Sequence, residues 1–397
     1  MNIKGFNQVF VILMLFVFAS IGGWWYANNN TNERDDFMIS YARKLLTDSG
    51  LIKSLVNDVK RTQTAPYSGI NENTRNMDIK KVLPSKDTKI VDTKSTSGKS
   101  GLIMFTTWTD NEEKSLVHAN VMNSWQFWKP LVKPLFFYSN KTTGDRMKKS
   151  GWLTLPVSNT ACGTSKIPVI RDMFLDAMKN YDSPLYGYAN GDISFDNGMS
   201  TAINFLKESD IVREKPVMIL VRRTNVDFSN GPLLNKSSNF TEILKRGQPL
   251  TDGSSDGFFT NKLFPWKYIP DVVVGRIGIG MWIVSYARAV NATIIDITKT
   301  VRAIHMTTKS GNYESHWKPN SKCNHELYAK YQAKPSNWGC GHINCAGLEV
   351  GVTKEGKVLM RGKPKRRFPK NCFKCTMDLS KLLPASYGKS AMSKFTV

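Results

Sequence analysis

The chain has 397 residues, 41% of them hydrophobic and 22% charged, with a mean hydropathy of -0.32. This excludes a wholly disordered chain and a multi-spanning membrane protein, and six cysteines are too few for a small disulfide scaffold. The formal charge of +23 calls for anionic partners: nucleic acid, acidic lipid, phosphates or acidic polysaccharide.

Residues 9–27 carry no charged side chain and end in Trp24, Trp25 and Tyr26. As a helix they extend about 28 Å, near the hydrocarbon thickness of a bilayer, with the aromatic rings at the far interface. Only Lys4 and the amino terminus precede them. We read residues 1–27 as a cytoplasmic tip and single-pass type II anchor, with a cleaved signal peptide and secretion as the alternative. Both readings send the remainder into the secretory lumen. Five Asn-x-Ser/Thr sequons, at Asn29, Asn140, Asn235, Asn239 and Asn291, agree with that. So does an even cysteine count: six cysteines in an oxidising lumen suggest three disulfides among 15 pairings.

Met38, Tyr41, Leu45, Ile52, Leu55 and Val59 form an apolar stripe at helical spacing, interrupted near Gly50. Within residues 28–100 this predicts a helical stem, offering a surface for a homodimer, followed by a polar linker. From Gly101 onward apolar runs alternate with amphipathic stretches. Leu102–Phe105 predicts a strand, then a helix capped by Asp110 that buries Val117, Val121, Trp125 and Trp128. Further strands are expected at residues 135–138, 152–157, 185–189, 217–221 and 272–274. A helix is expected from Ser165 with Pro168 in its first turn. The alternation predicts an α/β sandwich with a mostly parallel sheet over residues 101–353. Ligands of such sheets sit at the carboxyl ends of the strands.

Two such ends carry the chemistry. After the strand at 185–189 comes Asn190-Gly191-Asp192, where a carboxylate could hold Mg²⁺ or Mn²⁺ bridging a diphosphate; a plain turn is the other reading. After Val274 come Gly275, Arg276, Gly278 and Gly280, then Trp282, a glycine-rich strand-to-helix turn suited to phosphate or sugar. Among the five histidines, His118 reads as a surface or boundary residue. His305 and His316 read, from the residues alone, as ordinary loop hydrogen-bonding groups, although a neutral imidazole also suits Mn²⁺. The cysteine–histidine spacings around Cys323, Cys340 and Cys372 also admit zinc, which an oxidising lumen disfavours. Residues 354–397 hold twelve Lys or Arg against two acids and read as a basic, solvated tail with a contact to acidic glycan as the sharper option. The chain shows no nucleic-acid-binding motif, and no nucleic-acid partner is expected.

The segments GLIMFTTWTD, GYANGDISF, DGFF, VVVGRIGIGMWIV, VRAIH and GHINC, in that order, resemble an animal glycosyltransferase-like family with the GT-A (nucleotide-diphospho-sugar transferase) fold, over about residues 99 to 350. The resemblance implies a nucleotide-sugar donor, a divalent metal, a glycan or glycoprotein acceptor and residence in the Golgi membrane. It places Thr106 and Thr107 near the nucleotide, makes Asn190-Gly191-Asp192 a short form of the metal-binding Asp-x-Asp motif, and makes His305 or His316 the late histidine that completes the metal site with Asp192. Asp256 matches an acidic residue ahead of an aromatic pair. The family's Gly-Arg-x-x-x-Asp-Asn-Trp becomes Gly275-Arg276-Ile277-Gly278-Ile279-Gly280-Met281-Trp282 here. Glycine cannot deprotonate an acceptor hydroxyl, so Asp256 or Asp271 takes that role, or catalysis is altered or lost and the chain binds glycans or partners instead.

Overall fold

The computed structural model describes residues 100–250, 255–311, 314–331, 341–373, 377 and 379–384. The expected anchor, stem and linker, Asn29, Cys340 and Cys375 lie outside these residues. Among the described residues no helix is long and apolar enough to cross a membrane. The chain divides into two units, Met1–Val91 and Asp92–Val397, and everything below concerns the second.

In chain order the strands are β1 (Leu102–Thr106), β2 (Val132–Tyr138), β3 (Leu153–Pro156), β4 (Thr160–Ala161), β5 (Ile167–Pro168), β6 (Leu185–Ala189), β7 (Ile193–Phe195) and β8 (Val217–Leu220). They continue with β9 (Arg223–Asp227), β10 (Gln248–Pro249), β11 (Gly257–Thr260), β12 (Thr293–Asp296), β13 (Ala303–Thr307), β14 (Leu348–Val352) and β15 (Val358–Gly362). Nine of them form one sheet in the order β15-β14-β12-β8-β11-β6-β1-β2-β3. Pairing is parallel except where β11 runs against β6 and β8, and β15 against β14. The mostly parallel α/β layout expected from the sequence is therefore present. Both faces of this sheet are covered, so its central strands are apolar throughout. In β1, Ile103 and Phe105 point into one core with Phe174, Phe258 and Trp266. Leu102 and Met104 point into the other, with Trp125, Trp152 and Phe259.

A smaller sheet, β10-β9-β13-β7, abuts the large one. The chain passes from β6 in the large sheet to β7 in the small one through Asn190, Gly191 and Asp192, so this tripeptide is the joint between the sheets. The helix Ser115–Ser124 locks the joint: Trp125 Nε1 donates to the Ile193 carbonyl at 2.9 Å, and the Ser124 and Ser194 hydroxyls meet at 3.0 Å.

Several local expectations change. Asn111, not Asp110, caps the first turn, its side chain accepting from the Glu113 amide at 2.9 Å. Asp110 instead pairs with Arg146 at 2.5 Å. Pro168 sits in β5 opposite Thr160, and the helix begins at Ile170. Val272, Val273 and Val274 are buried as expected but form no ladder; Val273 makes one isolated bridge to Val169. The apolar run there signals burial, and strand pairing does not follow from it. The basic stretch read as a tail begins inside the fold, since β15 pairs along β14 beyond residue 353. Disulfides join Cys162 to Cys323 and Cys345 to Cys372. Sulfur in a disulfide has no thiolate to offer, so zinc is excluded at these four cysteines.

Candidate functional site

A cleft of about 960 Å³ opens where the two sheets meet. That is the upper end of small-molecule sites, roomy enough for a nucleotide-sized ligand. Asp192, His305, Asp256, Arg223, Lys114, Arg276 and Glu314 all line it.

Strand register brings Asp192 and His305 together. In the β7–β13 ladder His305 stands opposite Ile193, the residue after Asp192, and the Met306 amide donates to the Asp192 carbonyl at 2.9 Å. His305 Nε2 comes within 3.2 Å of Asp192 Oδ2. On its other side, His305 Nδ1 lies 3.0 Å from Asn225 Oδ1, its neighbour across the β9–β13 ladder. Arg223 donates to the same Asn225 oxygen at 3.1 Å, which fixes that amide as an acceptor. Nδ1 of a neutral His305 then carries the hydrogen, and Nε2 turns its lone pair toward the carboxylate. A cation can bind between two such electron-rich atoms, whereas a protonated His305 pairs with Asp192 directly.

The second Asp192 oxygen, Oδ1, is buried and has no hydrogen-bond partner. Burial works against charge on Asp192, but His305, Lys114 and Arg223 hold its carboxyl well below the usual carboxylate range. The donor set, one carboxylate and one imidazole, suits Mn²⁺ or Mg²⁺ completed by phosphate oxygens and water. No group of three or more metal-binding side chains occurs among the described residues, so such an ion would depend on its substrate for most ligands.

Around this pair the cleft is strongly charged. Lys114 Nζ lies 3.6 Å from Asp192 Oδ2 and also pairs with Glu314. Burial opposes the Lys114 charge, but the two acids raise its pKa above the ordinary lysine value. Asp256 pairs with Arg223 through Oδ2 and accepts from Asn190 Nδ2 at 3.2 Å through Oδ1. Tyr188 donates to Asn190 Oδ1 at 2.8 Å, so the Asn190 side-chain amide is held at both its oxygen and its nitrogen. Gly191 packs under Trp108, whose ring would be 2.6 Å from a Cβ there.

Of the residues singled out in the sequence, Thr107, Asp110, His118, Asn190, Gly191, Asp192, Asp256, Gly275, Arg276 and His305 line the cleft. The others are placed elsewhere. Thr106 is fully buried behind Thr107 in β1. Trp282 is fully buried too, on the inward face of the helix Ile279–Ala289 among Tyr286, Tyr328 and Tyr331, so it packs the core and touches no ligand. Asp271 is 54% exposed and pairs with Arg171 at 2.9 Å, outside the cleft lining. His316 is also outside that lining, although Glu314 and Ser315 just before it belong to the lining. His118 is not a surface residue: it is 8% exposed and stacks on Trp108 with centroids 4.4 Å apart.

Sequence reasoning missed Lys114, Arg223, Asn225 and Glu314. Arg223 follows a buried strand by three residues, so the strand-end rule could have found it. Lys114 and Glu314 carried no local signal, because their partnership spans 200 positions.

Gly280 has a structural reason. It lies in the first turn of the helix Ile279–Ala289, whose N-cap Gly278 adopts φ 86°. A Cβ at Gly280 would fall 2.2 Å from the Ser255 carbonyl oxygen. The space that a carboxylate would need there is filled by backbone.

No protein-family model matches the chain, and no curated protein is significantly similar to it. Among solved structures the chain is similar to glucosyl-3-phosphoglycerate synthase from Mycobacterium tuberculosis in complex with Mn²⁺ and uridine-diphosphate-glucose. The identity is 12%, with 68% of this chain and 88% of that chain covered and a TM-score of 0.33. It is also similar to mannosyl-3-phosphoglycerate synthase from Rubrobacter xylanophilus, at 11% identity over 66% of this chain and 85% of that one, with a TM-score of 0.34. Likenesses this weak assign neither family nor activity to the chain. Both proteins are bacterial, so the animal side of the motif resemblance finds no support in them.

Proposed function

We propose that the chain is a metal-dependent glycosyltransferase that moves a sugar from a nucleotide-sugar donor to a glycan or glycoprotein. The observation that carries this reading is the Asp192–His305 pair, 3.2 Å apart with an orphaned buried oxygen, set in a cleft with Lys114 and Arg276. Asp192 and His305 would hold Mn²⁺ or Mg²⁺. When bound, such an ion supplies Lewis-acid stabilisation of a departing diphosphate. Lys114 and Arg276 lend positive charge to the same phosphates, and Arg276, which hydrogen-bonds the Pro319 and Gly275 carbonyls, is aimed by its backbone contacts. Asn225 orients His305, while Tyr188 and Asn190 hold the joint rigid.

The setting we propose is the Golgi membrane, type II, with this domain lumenal and the stem of 28–100 available for dimerisation; secretion after cleavage is the alternative. The apolar stretch of residues 9–27 and two disulfides, a bond type favoured in oxidising compartments, support a secretory location.

The crowding at Gly280 favours a second reading, a binder of nucleotides or glycans that performs no transfer. One experiment separates the two. Full-chain protein with Mn²⁺ is screened against UDP-glucose, UDP-galactose, UDP-N-acetylglucosamine and GDP-mannose, by thermal shift and by release of nucleoside diphosphate. A transferase shows stabilisation and turnover for at least one donor, and Asp192→Ala loses both. Stabilisation without turnover selects the binder. Full activity in Asp192→Ala would sink the metal assignment.

A further inference from the structure

With Gly280 filled by backbone, sugar transfer needs another proton acceptor, and the cleft narrows the choice. Asp271 lies outside it. Asp256 is clamped by groups of the sheet frame, Asn190 on the joint and Arg223 in β9, whereas a base must be released by its partners. Asp110 is held at the outer lip by Arg146 and Thr143. Asp192 is the cation ligand. Glu314 is the acid that remains.

Its position is built from two sides. Glu113 and Lys114 are adjacent residues on the turn that follows β1. Glu113 accepts from the Thr308 hydroxyl at 2.6 Å and from the Ser310 amide at 2.8 Å. Lys114 pairs with Glu314 itself. The turn thus grips the chain beyond β13 at residues 308, 310 and 314, and sets Glu314 one lysine away from Asp192. Lys318 pairs with the other Glu314 oxygen at 2.8 Å. Both neighbours are cations that a bound diphosphate would attract.

We propose that Glu314 takes the proton of the attacking hydroxyl. The proposal rests on the nucleotide-sugar reading above. In the step, the hydroxyl oxygen forms a bond to the anomeric carbon, and the bond from that carbon to the diphosphate oxygen breaks. The electron pair leaves with the diphosphate, and the hydroxyl proton passes to the Glu314 carboxylate. Lys114 lies between the diphosphate side and Glu314. As negative charge gathers on the leaving group, Lys114 is drawn toward it, and Glu314 gives up a counter-charge when it must accept a proton.

The test uses full-chain protein and two readouts. Calorimetry measures UDP binding with Mn²⁺, and hydrolysis of the donor that wild type turns over measures kcat with water as acceptor. Glu314→Gln should bind UDP within about threefold of wild type and lose roughly a hundredfold or more in kcat, as expected for a lost general base. Glu314→Asp keeps a charge for Lys114 but withdraws the carboxylate by one methylene. It should fold and bind UDP normally, with kcat at least about tenfold down, and it decides the matter if Glu314→Gln does not fold. Normal kcat in Glu314→Asp or Glu314→Gln overturns the proposal. So does weakened UDP binding with kcat intact, which would mean that Glu314 only steers Lys114. Wild type that binds UDP but hydrolyses no donor overturns this inference alone, and wild type that neither binds UDP nor hydrolyses any donor fells the nucleotide-sugar reading itself, and this inference with it.

Discussion

Gly280→Ala asks whether the missing acid of the glycine-rich turn is a simple substitution or a consequence of packing. The added methyl would sit 2.2 Å from the Ser255 carbonyl oxygen, 3.0 Å from its carbonyl carbon and 3.1 Å from its Cβ. Two of these are backbone atoms, so no rotamer change relieves the clash and the helix start or the segment at Ser255 must move. Overpacking of this kind costs about 1–3 kcal/mol. For a folded unit of about 300 residues the unfolding entropy is roughly 0.6 kcal/mol/K, so the melting temperature should fall by about 2–5 °C. Gly280→Asp should fall at least as far and should gain no turnover. Gly362→Ala, where a Cβ meets nothing within 4 Å, is the control and should stay within about 1 °C. Differential scanning fluorimetry on the full chain reads all three. A Gly280→Ala protein as stable as wild type, or a Gly280→Asp protein with higher turnover, would refute the packing argument.

His118 gives a pH dependence. Burial, and then Lys114, push its pKa down to about 4, against about 6.5 for the unfolded chain. Between those values the unfolded chain binds the extra proton, so His118 contributes stability at neutral pH that is lost as pH falls from about 6.5 toward 4. The loss amounts to about 2–3 kcal/mol at pH 4.5. His118→Gln should lose less stability between pH 7 and 4.5 than wild type; equal losses would contradict the buried neutral ring. Cys162 and Cys323 are 161 positions apart, and in the chain-entropy picture closing that loop contributes up to about 5 kcal/mol. Denaturant titration of the Cys162→Ser, Cys323→Ser double variant should show most of that loss, and a change under about 1 kcal/mol would argue against a bond in the native protein.

What was legible in the sequence was whatever repeats along the chain. Continuous apolar runs marked β1, β2, β6 and β8, because a strand buried on both faces needs apolar residues at every position. Val272–Val274 satisfied the same rule without joining a ladder, since burial alone produces the pattern. Strands of the smaller sheet were hidden for the opposite reason. In β9, Arg223 lines the cleft and Asn225 meets His305, so polar site residues conceal the strand that carries them. Asp192 was visible after a glycine beyond a strand end, and His305 as one of only five histidines. Their contact depends on β7 pairing with β13, a register no local pattern encodes.

The same reasoning explains how the site divides between rigid and adjustable parts. Asp192, His305, Asn225 and Arg223 all sit on or beside strands of the small sheet, and their spacing is set by ladder hydrogen bonds. Such a frame is suited to an ion whose ligands tolerate little displacement. Lys114, Glu314, Lys318 and Arg276 come from turns and short helices and meet through long, flexible side chains. Charge on that side can therefore be redistributed without moving the sheet. The transfer proposed above would need both: a fixed point for the diphosphate and cations that can follow its growing charge. The high net charge of the chain thus matters locally. The cleft sets Lys114 and Arg223 directly against Asp192 and Asp256, which keeps its basic groups in place before any anion arrives. A merely basic surface patch, whose lysines would be solvated and unpaired, provides no such preorganisation.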